Sequence, residues 1–302
     1  MSIRIVALAG GVGGAKLANG LAQVIPAGQL TVVVNTGDDF THFGLHICPD
    51  LDTVCYTLGG LANPETGWGL VGESWRVLEG LKALGAPTWF HLGDCDLATH
   101  LERTRRLSQG ERLSEVTQSF CSAWGIAHTV LPMSDDPVAT RIISAEEGEL
   151  AFQQYFVERR CQPRVTGFRF EGIEQAKPAP GVIEALETAD AVVFCPSNPW
   201  VSIDPILAVP GIRERVAAKP VVAVSPIIGG KTVKGPAAKM YAELGIEPSA
   251  LAVAEHYRSF LGAFFMDPVD IEHAMKIERW GIMSMVTNTI MSAREDRVRL
   301  AR

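Results

Sequence analysis

Two residue groups near the start of the chain have the types and spacing to do chemistry. The first is Gly10-Gly11-Val12-Gly13-Gly14-Ala15-Lys16, which follows the short apolar run Ile3–Ala9. Glycines let a backbone approach a phosphate closely, and a helix starting there offers unpaired N–H groups and its positive dipole end. Two standard fingerprints do not fit. A G-x-G-x-x-G begun at Gly11 needs glycine where Lys16 stands, and a P-loop ending at Lys16 needs glycine at Ala15 and Ser or Thr at Leu17. The segment therefore reads as a phosphate cradle of another lineage, or as a tight strand-to-helix turn without a ligand.

The second group is acidic: Asp38-Asp39, then Pro49-Asp50-Leu51-Asp52-Thr53. Carboxylates beside a phosphate cradle repel the ligand unless a cation lies between them. Mg2+ suits this role because it takes one or two carboxylates plus phosphate oxygens. Asp50 and Asp52 share a face if the segment is extended, so both can reach one ion or substrate. The plainer alternative is turn aspartates and a helix cap.

Further polar groups sit in later turns. Ser197-Asn198 follow one apolar run, and Ser225-Pro-Ile-Ile-Gly229-Gly230-Lys231-Thr-Val-Lys234 follow another, a sequence suited to a second anion nest. Arg103, Arg105, Arg106, Arg159 and Arg160 could neutralise phosphate or simply line solvated helix faces. His42 and His46 are four apart, and His91 and His100 flank Asp94 and Asp96. Without Cys or Glu at matching ligand spacing, zinc is not indicated. Nor is covalent catalysis, since the chain has no G-x-S-x-G elbow and no evident Cys/His nucleophile context.

The elements that must position these groups have an α/β order. Ile3–Ala9 and Leu30–Val34 read as strands around a helix from Ala15 to about Val24, a βαβ unit. Near-continuous apolar strands imply a parallel sheet covered on both faces. Ala191–Cys195, Val221–Val224 and Leu251–Ala254 read as further buried strands, each opening into a polar turn. Open α/β sheets bind ligands beyond the carboxyl ends of their strands, so these turns are expected to converge. Between them, Glu73–Leu84, Leu97–Arg106 and Ser114–Trp124 read as helices, and Arg141–Phe156 as a hairpin. The expectation is one domain, 1–302: a Rossmann-like, mostly parallel core (about 1–60 and 188–300) with an inserted, mainly helical subdomain (about 61–187).

Composition agrees with a folded globular protein. The 302 residues are 47% hydrophobic and 20% charged, with 27 basic against 34 acidic residues and a net charge of −7. An acidic balance gives no electrostatic footprint for nucleic acid or anionic membrane, so any bound phosphate is met by local groups. No apolar run reaches the ~20 residues that span a bilayer. Six cysteines without a C-x-x-C pair, and no export signal, lead us to expect reduced thiols and a cytoplasmic protein.

Seven segments in order carry a family resemblance. They are Gly10-Gly-Val-Gly-Gly-Ala-Lys, Val33-Val-Asn-Thr-Gly-Asp-Asp, Ile47-Cys-Pro-Asp-Leu-Asp-Thr-Val, Leu92-Gly-Asp-Cys-Asp-Leu-Ala-Thr-His, Leu131-Pro-Met-Ser-Asp-Asp, Pro196-Ser-Asn-Pro and Val224-Ser-Pro-Ile-Ile-Gly. Together they resemble, over nearly the whole chain, the 2-phospho-L-lactate transferase family of coenzyme F-420 biosynthesis, called CofD in archaea and FbiA in actinobacteria. The resemblance implies a Mg2+-dependent, homodimeric enzyme. Its donor would be a guanosine diphospho conjugate of lactate or enolpyruvate, its acceptor the terminal ribityl hydroxyl of the deazaflavin Fo, and its leaving group GMP.

The reading of the residues fits this chemistry: Gly10, Gly11, Gly13, Gly14 and Lys16, with Ser197, Asn198, Ser225, Gly229, Lys231 and Lys234, would hold the nucleotide. Asp39 would meet its ribose. Asp38, Asp50 and Asp52 would hold Mg2+, with Asp50 and Asp52 catalytic, and the resemblance implies that the deazaflavin contacts Asp52, Thr53 and His91. Asp204 departs from the family, where glycine is common. A sister family that binds UDP-sugars as a regulator shares the glycine loop and the Asp-Asp pair, and it is the alternative. The Pro49–Thr53 and Gly93–Asp96 segments favour the transferase.

Overall fold

A computed structural model describes residues 3–302. The chain begins with β1 (Ile5–Ala9), α1 (Gly11–Val24) and β2 (Leu30–Val34). A hairpin of β3 (Phe40–His42) and β4 (Leu45–Ile47) leads into α2 (Pro49–Leu58), followed by α3 (Arg76–Ala83), α4 (Asp94–Ser108) and α5 (Leu113–Ala123). Next come β5 (Thr129–Pro132), β6 (Ala139–Ser144), β7 (Gly148–Ala151), β8 (Val165–Glu171), α6 (Val182–Thr188) and β9 (Ala191–Phe194). The last part holds α7 (Asp204–Ala208), α8 (Ile212–Ala217), β10 (Val221–Val224), a small hairpin of β11 (Ile227–Ile228) and β12 (Lys231–Thr232), α9 (Ala237–Glu243) and α10 (Ala250–His256). It ends with β13 (Leu261–Met266), α11 (Ala274–Glu278), β14 (Met283–Val286) and α12 (Arg294–Ala301).

Seven strands form one sheet in the order β14-β13-β10-β9-β1-β2-β5, and every pairing in it is parallel. Side chains alternate between the two faces of a strand. Val6, Leu8, Val33, Val192 and Phe194 accordingly enter one hydrophobic cluster, while Ile5, Ala7, Ala9, Val32 and Val34 enter the other. Helices cover both faces, so the central strands need apolar residues at every position. That is why they read as continuous runs.

Several expectations need correction. Leu251–Ala254 lies in α10, not in a strand. A short Ala/Val/Leu run does not distinguish helix from strand, and here Ser249 caps the helix by accepting from the Ala252 N–H at 3.1 Å. The strand of that unit is β13, ten residues later. Helix α1 begins at Gly11 and not at Ala15, so the glycines form its first turn. The segment 61–187 carries its long helices, α3 to α5, only as far as Ala123, with the short α6 at its end. It then supplies β5 to the edge of the central sheet and builds a separate antiparallel sheet, β7-β6-β8, from the expected hairpin and one more strand.

Candidate functional site

A cavity of about 930 Å3 opens at the carboxyl ends of the central strands. Gly10 follows β1, Asp38 follows β2, Ser197 follows β9 and Ser225 follows β10, and all four line it. The convergence expected of an open parallel sheet is therefore met by these residues.

The glycine segment is shaped by its own neighbours. Gly11 has φ +60°, a left-handed conformation that glycine adopts at little cost. A Cβ on Gly13 would lie 2.4 Å from the Pro196 carbonyl oxygen, and one on Gly14 would lie 2.4 Å from Ser197 Oγ. Ser197 Oγ accepts from the Gly10 N–H at 3.1 Å and donates to the Gly10 carbonyl at 2.8 Å. Gly13 and Gly14 thus let the start of α1 seat against the β9 turn. Gly10, Gly11, Val12 and Gly13 face the cavity, whereas Gly14 does not.

Asp50 fastens this arrangement from the first turn of α2. Its Oδ1 accepts from the Gly11 N–H at 2.7 Å and its Oδ2 from Asn35 Nδ2 at 2.9 Å. Burial pushes its pKa up to about 6, although the Asn35 and Gly11 hydrogen bonds pull the other way. Asp38 is 4% exposed, and its Oδ1 has no hydrogen-bond partner among the described residues. Burial, then the charge of Asp50, pushes its carboxyl well above the ordinary range. An orphaned buried carboxylate oxygen at the edge of a cavity, with a second carboxylate close by, fits a hard cation such as Mg2+.

Asp52 is arranged differently. Both its oxygens are taken by Arg103, Oδ1 by Nη2 and Oδ2 by Nη1 at 3.1 Å. Arg103 is 2% exposed, and its charge also lies beside Asp39 and Cys48. Two clusters have ligand-type atoms within 4.8 Å of one another, Asp39-His46-Cys48 and Asp52-Asp96-His100. Arg103 supplies positive charge to both, which opposes a metal ion in either.

The other expected residues divide between cavity and surroundings. Thr53, His91, Lys16, Asn198 and Lys234 line the cavity. Lys16 Nζ donates to the Met291 carbonyl at 2.8 Å, and burial, then Arg297 and Lys234, lowers its pKa. Lys234 Nζ donates to the Thr66 carbonyl at 2.5 Å. Asn198 caps the following helical turn by accepting from the Trp200 N–H, and Ser225 Oγ closes its own turn through Ile227. Asp39, Gly229 and Lys231 are not among the lining residues. The Gly229 N–H meets both oxygens of Asp270, so the expected anion nest already holds a carboxylate of this chain.

Several cavity residues were given no role in the site by the sequence, although Asp96 and His100 were weighed there as metal ligands. Tyr56, Asp96 and His100 line it beside Asp52, and so do the aromatic residues Trp68, Trp89, Phe90, Phe152 and Phe156. Phe90 packs edge-on to Phe40, with centroids 4.8 Å apart. The signal for the polar ones was present. Asp96, His100 and Arg103 fall at i, i+4 and i+7, one face of a helix, and that face turns inward.

A Rossmann-like parallel sheet with glycine, serine and buried carboxylates gathered at its carboxyl edge defines a ligand-binding α/β protein. The family profile described as 2-phospho-L-lactate transferase CofD matches residues 5–281. A protein named phosphoenolpyruvate transferase from Streptomyces griseus is 48% identical over 297 residues, covering 96% of this chain and 93% of its own. One named 2-phospho-L-lactate transferase from Methanosarcina barkeri is 40% identical, covering 98% and 96%. A UPF0052-family structure from Bacillus halodurans superposes with a TM-score of 0.66 at 15% identity, covering 100% of this chain and 98% of that one, a likeness of fold alone. The chain belongs to the 2-phospho-L-lactate transferase CofD family. No helix among the described residues is long and apolar enough to cross a membrane.

Proposed function

We propose that this protein transfers a phosphoenolpyruvyl or phospholactyl group from a guanosine diphospho conjugate to the terminal ribityl hydroxyl of the deazaflavin Fo. The reaction releases GMP and serves coenzyme F-420 biosynthesis. The observation that carries the reading is one cavity lined by glycines and serines of the sheet edge, by Asp38, Asp50 and Asp52, and by the aromatic rings of Trp68, Trp89, Phe90, Phe152 and Phe156. The glycines and serines suit a diphosphate, and aromatic rings suit a flat heterocycle. Among the curated relatives, those at 46–48% identity are named phosphoenolpyruvate transferases, which favours the enolpyruvyl donor.

In this reaction the ribityl oxygen attacks the phosphorus that carries the enolpyruvyl ester. The bond from that phosphorus to the bridging oxygen breaks, its electron pair leaves with GMP, and the hydroxyl's proton passes to the departing phosphate oxygen or to solvent. Such a transfer needs positioning and charge neutralisation more than a covalent intermediate. The Gly10–Gly13 backbone, Lys16 and Lys234 would hold the diphosphate. Mg2+, when bound, would neutralise its charge, with Asp38 as ligand beside Asp50. Asp52 keeps lone pairs that Arg103 does not use, and it would accept the hydrogen bond of the attacking hydroxyl and orient it. Thr53 and His91 would contact the acceptor. We place the enzyme in the cytoplasm as a homodimer on the same family grounds.

Equilibrium binding tests this reading before turnover does. Guanine nucleotides and Fo are expected to bind together, each at a site the other does not block. A preference for uracil nucleotides with no binding of Fo would favour the UDP-sugar regulator instead.

A further inference from the structure

We infer that Ser202 is a phosphate-binding residue whose Oγ–H donates to the diphosphate of the nucleotide at the glycine turn. The inference rests on the proposed nucleotide site and adds a recognition group to it. Ser202 lies in the helical turn Pro199–Ile203 that follows β9, lines the cavity and is 6% exposed. Gly10 fixes its place there. A Cβ on Gly10 would lie 2.7 Å from Ser202 Cβ, 2.9 Å from Ser202 Oγ and 2.4 Å from Asp50 Oδ2. Only glycine fits at position 10, because the serine and the Asp50 carboxylate stand against its Cα.

The turn is short of donors without this hydroxyl. The Gly10 N–H is taken by Ser197 Oγ and the Gly11 N–H by Asp50 Oδ1. A phosphate here meets only the later N–H groups of the first turn of α1 and whatever side chains add. Ser202 Oγ is free to add one. A serine in a helical turn commonly gives its hydroxyl to the carbonyl four residues back. That carbonyl, of Asn198, already accepts from the Ser202 N–H at 3.0 Å and the Ile203 N–H at 3.3 Å. Asp50 Oδ2 is taken by Asn35 Nδ2, which also donates to the Val201 carbonyl at 3.1 Å and so holds the serine's segment beside Asp50. Ser202 Oγ makes no hydrogen bond among the described residues, and it is not one of the polar atoms shut off from solvent. In a residue this buried, the open side of the hydroxyl is the cavity. Phosphate oxygens accept and do not donate, and hydrogen bonds to a charged acceptor are the strong ones.

The test is Ser202→Ala, which removes Oγ and keeps the Cβ that packs on Gly10. GDP affinity is expected to fall roughly 10- to 100-fold, the loss of one hydrogen bond to a charged group. Fo affinity and the urea midpoint should stay at their wild-type values, because Oγ holds nothing within the protein. GDP binding equal to wild type overturns the inference. So does a loss shared by GDP and Fo, or a lowered midpoint, since either makes the serine structural. The Mg2+-induced shift in melting temperature without nucleotide separates phosphate from metal. It is expected to match wild type, and its loss in Ser202→Ala would assign the hydroxyl to the cation and overturn the phosphate contact. If wild type does not bind GDP, the nucleotide site itself is wrong and the inference falls with it. If wild type and Ser202→Ala bind GDP equally well, that site stands without Ser202.

Discussion

Arg103 clamps both oxygens of Asp52 although the two residues are 51 apart in the chain, and both are almost fully buried. The pair ties α2 to α4 directly beneath the cavity. Removing one member of a buried pair strands the other charge, which typically costs about 3–5 kcal/mol. Arg103→Met is therefore expected to lose stability in that range by urea denaturation, with Asp52→Asn losing less because an amide can still accept one hydrogen bond. Asp52→Asn should also slow turnover of Fo while leaving GDP affinity close to wild type, after its fold is confirmed by circular dichroism. Equal stability of wild type and Arg103→Met would show that the pair does not tie the helices.

Metal dependence turns on Asp38 and Asp50. A carboxyl whose folded pKa is raised holds its proton more tightly in the folded state than in the unfolded one. Asp50 thus withdraws stability as pH rises from about 4, the unfolded value, through about 6, and Asp38 acts in the same direction. In chelator, wild type should lose stability relative to Asp38→Asn across that rise. A cation held there offsets the loss, so excess Mg2+ should raise the melting temperature of wild type at pH 8 and much less at pH 5. It should do neither for Asp38→Asn. The same Mg2+ shift in both proteins would remove Asp38 from the site.

Substitution in the glycine segment separates packing from binding. Gly13→Ala forces a Cβ against the Pro196 carbonyl oxygen, and overpacking of this kind costs about 1–3 kcal/mol. Its urea midpoint is expected to fall even without nucleotide. Lys16→Ala removes a half-buried amine that meets only the Met291 carbonyl, so GDP affinity should fall while the midpoint stays nearly constant. If Lys16→Ala binds GDP as wild type does, Lys16 belongs to the contact with the C-terminal segment and not to the ligand.

How much of this was legible in the sequence depends on the physics each residue reports. The runs at Leu30–Val34 and Val221–Val224 match β2 and β10 to the residue, because strands buried on both faces are apolar at almost every position, Thr31 being the exception, which leaves little to blur their ends. The run at Leu251–Ala254 failed because burial alone does not choose between helix and strand. Within one helix, Arg103, Arg105 and Arg106 look alike as a charge run, yet Arg105 and Arg106 meet Glu102 and Glu111 at the surface while Arg103 turns inward to Asp52. That distinction comes from contacts across the fold, which spacing within α4 only suggests. Gly229 was read as anion-binding for the right local chemistry, but the anion is Asp270, 41 residues away.

The central claim is the transfer itself, and product analysis tests it most directly. Purified protein should be incubated with Fo, Mg2+ and synthetic guanosine diphospho conjugates of enolpyruvate or lactate, and the products resolved by mass spectrometry. The account predicts GMP and a phosphodiester-linked adduct of Fo in equal amounts, with the enolpyruvyl donor consumed faster and no adduct in excess chelator. GMP formed without any Fo adduct would mean simple hydrolysis of the donor, and neither product from either donor, in a protein that binds guanine nucleotide, would contradict the assignment.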